Sequence, residues 1–176
     1  MGPPQSEPEP GPAPGHRLHQ VDLVVFRARL PGQDPLATAS KADLPARAHS
    51  KGEPVPLYAA LLASTARLEF RKALGSAADA FPVCHVHRLE FSGVILDACA
   101  PDLQLQLGVD DVTLTGPDMG SAQETARAAW RVSADGVLLP SAADKGAHCL
   151  VVRRAACAIT LRPTGEVEAL PLRVSE

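Results

Sequence analysis

The chain has 176 residues, within the usual range of one domain, and 45% of them are hydrophobic while 21% are charged. Enough apolar surface is therefore available to offset the entropy lost on folding, which excludes disorder over the whole length. The formal net charge of -3 gives no electrostatic reason to expect nucleic acid or an anionic membrane as the main partner.

Residues 1–16 form a predicted disordered tail, because they hold six prolines and three glycines among polar neighbours. The tail has neither a basic start nor an apolar stretch, so a signal peptide is not expected. No apolar run approaches the roughly 18 residues that span a bilayer. The four cysteines form no CxxC pair, which favours reduced thiols and a cytoplasmic location. We expect one folded domain over residues 17–176.

The folded part begins with a predicted strand at residues 21–27, a β-branched and aromatic run that ends near the turn signal Pro31-Gly32. Residues 31–56 are rich in Pro, Ala, Ser and Gly and predict a long irregular segment, of a length that is often functional. Residues 56–58 then predict a short extended piece.

The clearest helical pattern runs from Ala59 to Leu74, and Gly75 is expected to end it. Its apolar stripe is predicted to contain Leu61, Leu62, Thr65 and Leu68.

The second half of the chain predicts more strands than helices. Alternation over residues 81–96 predicts one or two strands, with a bend or bulge at Gly93. A helix over residues 121–133 is predicted to open with a capping box between Ser121 and Glu124. Short apolar stretches at 103–107 and 112–114 flank an Asp-Asp turn, and further strands are predicted at 136–141, 149–153 and 156–161. This irregular order predicts an α+β domain, a compact mixed sheet with a few helices.

The segment Cys84-His85-Val86-His87 looks at first like a set of metal ligands. On a strand, however, Cys84 and Val86 face one side and the two histidines the other. Two histidines at i and i+2 with no further ligand make a poor zinc site. We therefore predict no metal site and two packing or solvent-facing histidines.

The sequence contains no Walker loop, GxGxxG, HExxH or GxSxG motif. Four stretches resemble the RES-domain family, the toxin half of a class of bacterial toxin–antitoxin pairs. They are VVFRARLPGQDPLATAS, ARAHSKGEPVPLYAALLASTARLEF, the helix from Gln123 to Trp130, and ADGVLLPSAADKGAHCLVVRR. Together they cover most of residues 20–155 in the family's order. The chain departs from the family pattern beside Arg47, where Ala46 and Ala48 replace the usual Gly and Trp.

The resemblance implies an ADP-ribosyltransferase-like fold and cleavage of the nicotinamide–ribose bond of NAD, with NAD as substrate. It implies catalytic roles for Glu69, Tyr58 and Arg47, and NAD binding by Arg27, Arg47, Tyr58 and Ser141. A carboxylate suits the oxocarbenium-like ribose of such a cleavage. Arginine forks suit the pyrophosphate, and the Tyr58 ring offers a flat surface for nicotinamide. Ser141, at a strand end, would orient ribose or phosphate.

The same residues also fit simpler interpretations. Glu69 is also placed to pair with Lys72 or Lys51 on a solvated face. Either Arg27 or Arg29 would serve as an ordinary surface arginine. The only tyrosine would serve equally as core filler, and Ser141 as a cap of the turn after Pro140.

Three functions follow from these observations. The first is an NAD-degrading toxin whose acceptor is water, phosphate or a protein. For this function the resemblance also implies an antitoxin partner with a helix-turn-helix domain. We expect no membrane association and no direct nucleic-acid binding. The second is a catalytically inactive RES-like nucleotide-binding module. The third is an interaction protein whose Pro-rich tail recruits a partner.

Overall fold

The computed structural model describes residues 18–38 and 46–173. The described strands are β1 (Leu18–Arg29), β2 (Leu57–Ala60), β3 (Val83–Asp97), β4 (Gly136–Pro140), β5 (His148–Val152) and β6 (Leu161–Pro171). The helices are α1 (Ala63–Leu74), followed by a 3-10 helix (Gly75–Ala80), α2 (Pro101–Leu107), α3 (Asp111–Thr115), α4 (Gly120–Arg131) and α5 (Cys157–Thr160). The α+β prediction is confirmed, whereas the predicted tail at 1–16 lies outside the described residues. No helix within the described ranges is long and apolar enough to cross a membrane.

The strands form a ring. β1 pairs antiparallel with β3 along its whole length. The other edge of β3 pairs first with β6, antiparallel, and then with β4, parallel. The sheet continues from β4 through β5 to β2, which returns to β1 where Phe26 lies opposite Ala60. In the part of the chain that is described, β1–β2–β5–β4–β3 thus close on themselves, with β6 outside the ring.

Buried side chains on alternate positions of each strand divide the core into an inner and an outer part. Leu150 and Val152 belong to the cluster inside the ring, with Val25, Leu89 and Phe91. Val151 packs outward against the alanines of α4, together with Val137 and Leu139. Cys149 packs outward beneath α1, with Ala60 and Ala66. The helices therefore cover the outer face in two groups, α1 on one side and α2–α4 on the other.

The predicted start of the first helix is wrong. Leu57–Ala60 pairs with four residues of β5, so strand pairing overrides the helical pattern of residues 59–62. Helix α1 begins at Ala63 after Leu62, which is 53% exposed and not part of an apolar stripe. The predicted end is confirmed, since Gly75 caps α1 with a positive φ of 56°.

Two further predictions are corrected. Residues 156–161 are not a strand: α5 occupies Cys157–Thr160 and β6 begins only at Leu161. The capping box at Ser121 is absent, because Met119 precedes α4 without a side-chain cap and Glu124 binds Arg127 and Arg131 instead.

The strand predicted at residues 81–96 is a single one, β3, and its pairing with β1 continues through Gly93 without the predicted bulge. Its register with β6 shifts between His87 and Leu89. A Cβ at Gly93 would lie 2.9 Å from the Phe91 ring and 3.1 Å from Thr160 Cγ2. Glycine is therefore required there by close packing. The predicted strands at 21–27, 136–141 and 149–153 are confirmed.

Candidate active site

A cavity of about 410 Å³ lies on the outer face of the sheet, between α1 and the turn that carries Arg47. One face of α1 forms a wall with Ala66, Glu69, Phe70 and Ala73, which are spaced at i, i+3, i+4 and i+7. The floor comes from β2, β5 and β4, which are adjacent strands. Four of the five predicted site residues, Arg27, Arg47, Tyr58 and Glu69, line this cavity.

The cavity extends into a split between β1 and β2. The two strands pair at Phe26 and Ala60, and beyond this pair the residues on both sides, 27–29 and 58–59, line the cavity. Four consecutive residues of β1 are lining residues. A strand within a sheet would present only alternate side chains to one space, so β1 borders the cavity with its edge.

Glu69 is held in place by one of its two carboxylate oxygens. Oε1 accepts hydrogen bonds from Ser141 Oγ at 2.5 Å, from Ala142 N at 2.9 Å and from Ala143 N at 3.2 Å. None of the described residues donates to Oε2, and none forms an ion pair with Glu69. The surface pairing with Lys72 or Lys51 is therefore wrong for the described residues. The carboxylate has a fixed orientation and a free oxygen.

Ser141 lies behind Glu69 and does not line the cavity. It is 4% exposed, follows β4, and its Oγ accepts from Ala143 N at 3.2 Å and Asp144 N at 3.0 Å. The Asp144 carboxylate in turn accepts from the hydroxyl of Thr65 on α1. The loop after β4 is thus tied to α1 at Glu69 and, one turn earlier, at Thr65.

Arg47 lies at the tip of a tight turn in which Ala46 and His49 exchange two backbone hydrogen bonds. Its guanidinium Nη2 donates to the carbonyl oxygens of Leu114 at 2.7 Å and Pro140 at 2.8 Å. Its buried Nε has no hydrogen-bond partner within the described ranges. Arg47 is therefore anchored by one nitrogen at the β4 side of the cavity.

Two side chains from distant elements hold this turn. The Tyr58 hydroxyl accepts from Ala48 N at 3.1 Å and contacts His49 Nδ1 at 3.2 Å. Gln123 of α4 donates to the carbonyls of Ala46 and His49, at 2.9 and 3.2 Å. Burial raises the pKa of Tyr58 to about 12, so its hydroxyl stays protonated at neutral pH. The sequence indicates Gln123 only as part of the family resemblance. Its contact with the Arg47 turn could not be predicted without the fold.

Arg27 and Arg29 both border the cavity on the β1 side. Arg27 is 8% exposed, and its guanidinium donates to the carbonyls of Pro35 at 2.5 Å and Ala37 at 2.9 Å. Burial, with the nearby charge of Arg29, lowers the pKa of Arg27 to about 10, which still leaves it charged at neutral pH. Of the two arginines, Arg27 is the more deeply buried.

Cys149 is a cavity residue that no sequence pattern indicated. Its thiol lies 3.7 Å from Glu69 Oε1. Burial and then the charge of Glu69 raise the pKa of Cys149 to about 12, so the thiol is protonated. By contrast, the Cys84–His87 segment has the predicted alternation, with Cys84 and Val86 buried beneath α1 and both histidines partly exposed.

Comparison with known proteins gives a family and a fold. The profile of the RES domain matches residues 16–173. The chain is similar to a chain of the crystal structure of the M. tuberculosis MbcT–MbcA toxin–antitoxin complex, with a TM-score of 0.72 and 20% sequence identity. That similarity covers 88% of this chain and 87% of the other. No curated protein matches.

Proposed function

The chain belongs to the RES-domain family, and we propose that it is a toxin that cleaves the nicotinamide–ribose bond of NAD. The observation that carries the proposal is Glu69, a carboxylate fixed by three hydrogen bonds to Oε1 in a cavity that is also lined by three arginines and a tyrosine. NAD enters as substrate.

The proposed reaction breaks the bond between the ribose carbon and the nicotinamide nitrogen, and the bonding electrons leave with nicotinamide. The positive charge moves from the pyridinium ring to the ribose, whose oxocarbenium form Glu69 would stabilise through its free Oε2. Water then adds to the ribose carbon and loses a proton, which yields ADP-ribose. Phosphate or a protein side chain would add at the same carbon.

Arg27 and Arg47 would bind the phosphates of NAD. Each donates to two carbonyl oxygens, Arg27 in the segment at 35–37 and Arg47 at Leu114 and Pro140. A phosphate oxygen is a stronger acceptor than a neutral carbonyl, because both partners are then charged. Tyr58, whose hydroxyl is occupied by the turn, is left with its ring as the surface for nicotinamide.

A toxin requires a neutralising partner, and we propose a protein antitoxin with a helix-turn-helix domain, acting in the cytoplasm. The fold similarity to a chain of a toxin–antitoxin complex supports this assignment. Expression of the chain should stop bacterial growth unless the antitoxin is co-expressed.

The direct test is nicotinamide release from NAD by the purified chain, measured by chromatography with and without phosphate. We expect release by the wild type, none above background in Glu69→Ala, and full release in Glu166→Ala, which removes an exposed carboxylate on β6. A phosphate requirement would identify phosphate as the acceptor. Full activity of Glu69→Ala would refute the site assignment.

The alternative is an inactive nucleotide-binding module, favoured by Ala46 and Ala48 beside Arg47. It predicts that NAD binds, by calorimetry, but that the wild type releases no nicotinamide.

A further inference from the structure

The cavity contains an unusual share of the aromatic residues. The chain has one Trp, one Tyr and four Phe, all of them among the described residues. Three of these, Phe26, Tyr58 and Phe70, line the same cavity. Half of the aromatic side chains therefore border this one cavity.

Phe26 and Phe70 approach the cavity from opposite elements. Phe26 lies on β1 at its pair with Ala60, and Phe70 follows Glu69 on α1. Both rings are partly buried against the cluster beneath α1. The lining residues around them are small, namely Ala28, Ala60, Ala66 and Ala73. Alanines fill little space, so a flat apolar group has room between the two elements.

This aromatic pair lies at the other side of the cavity from the Arg47 turn. Arg47 is anchored at Pro140, where β4 ends. Phe26 is on β1, and Phe70 packs with it against the cluster that contains Ala28 of β1 and Val86 of β3. β1, β2, β5 and β4 follow one another around the ring, so β2 and β5 lie between β1 and β4 on this side of it. The cavity therefore has two halves: Arg47 and Tyr58 in one, and the two phenylalanines with Arg27 and Arg29 in the other.

We propose that Phe26 and Phe70 form the subsite for the adenine base, with Arg27 and Arg29 beside it for the adenylate phosphate. The inference rests on the proposed function, which requires a dinucleotide. Aromatic rings next to arginine are the groups on which proteins stack bases and bind their phosphates. The nicotinamide half is then left for Tyr58 and Glu69.

The test compares the two halves of the dinucleotide in binding, which needs no turnover. AMP and nicotinamide mononucleotide are titrated calorimetrically into the wild type, Phe70→Leu and Phe81→Leu. Phe81 is the matched control, because it is partly buried against the same cluster but does not line the cavity. Leucine keeps an apolar side chain and removes the ring.

We expect Phe70→Leu to raise the Kd for AMP by about five- to tenfold, the value of a lost ring–ring contact. The Kd for nicotinamide mononucleotide should stay unchanged, and Phe81→Leu should change neither. Any of three results would overturn the subsite. They are an AMP Kd that Phe70→Leu leaves unchanged, an equal loss of affinity for both ligands, and no AMP binding by the wild type. A wild type that binds AMP through Phe70 but releases no nicotinamide would instead refute the proposed reaction.

Discussion

Replacement of Ser141 by alanine tests how the carboxylate of the cavity is positioned. The variant loses the 2.5 Å hydrogen bond to Glu69 and leaves Asp144 N without its partner, while Ala142 N and Ala143 N still donate to Glu69 at 2.9 and 3.2 Å. A hydrogen bond to a charged group contributes about 1.5–3 kcal/mol, and a buried donor without a partner costs about 1–3 kcal/mol. The hydrogen bonds of this loop are only partly buried, so we take the lower half of the summed range and expect the free energy of unfolding to fall by about 2.5–4 kcal/mol.

The same change should lower kcat by about ten- to a hundredfold, because a carboxylate displaced by a fraction of an ångström loses its alignment with the ribose. KM for NAD should not change, since Ser141 is 4% exposed and lies behind Glu69. Initial rates of nicotinamide release are measured for Ser141→Ala, Glu69→Gln and the double variant. Glutamine keeps an acceptor for the three donors but removes the charge.

If Ser141 acts through Glu69, the double variant is no slower than Glu69→Gln alone. Thr160→Val is the matched control, since it also removes a buried hydroxyl, which donates to Ala156 O at 2.9 Å, and Thr160 does not line the cavity. It should lower stability without lowering kcat. Losses that multiply in the double variant, or a raised KM with unchanged kcat in Ser141→Ala, would show that Ser141 contacts the ligand directly.

Three further predictions concern the rest of the chain. Arg47→Ala should weaken NAD binding by about 1.5–3 kcal/mol through lost charged hydrogen bonds; an unchanged calorimetric Kd would contradict the role of Arg47. Gly93→Ala should lower the unfolding free energy by about 1–3 kcal/mol, because its Cβ would lie 2.9 Å from the Phe91 ring. An unchanged Tm in a thermal scan would show that Phe91 and Thr160 move aside without a loss of stability. Deletion of residues 1–16 should leave Tm and turnover unaltered, and a loss of either would assign the tail a structural role.

Local patterns in the sequence predict most of the helices and strands, but they do not predict which one forms where a segment is compatible with both. The Ala-rich run after Tyr58 has a helical pattern, yet its first residues pair with β5, because β2 is needed to close the ring. The apolar residues of the segment 156–161 are equally compatible with a strand and with the short helix α5 that forms there. In both places tertiary pairing decides between two local structures of similar propensity.

The site follows the same logic over longer distances. The resemblance selected Glu69 and Ser141 separately, and nothing in the sequence indicates that the serine holds the carboxylate across 72 residues of chain. Gln123 reaches the Arg47 turn from 77 residues away at Ala46. Such contacts need the order of strands, which periodicity does not supply. The sequence therefore predicts candidate residues, four of which line one cavity, but it does not predict which of them face the cavity and which support the others.

The replacement of Gly and Trp by Ala46 and Ala48 shows why contacts are a better guide than the motif. Glycine would be required before Arg47 only if the turn used a positive φ, and among the described non-glycine residues Ser133 alone has one. Ala48 is 2% exposed, so its small side chain is fully packed where the family has an indole. The position of Arg47 is set by the carbonyls of Leu114 and Pro140. Because neither carbonyl depends on the residues that changed, the cation remains in the cavity without the family's motif.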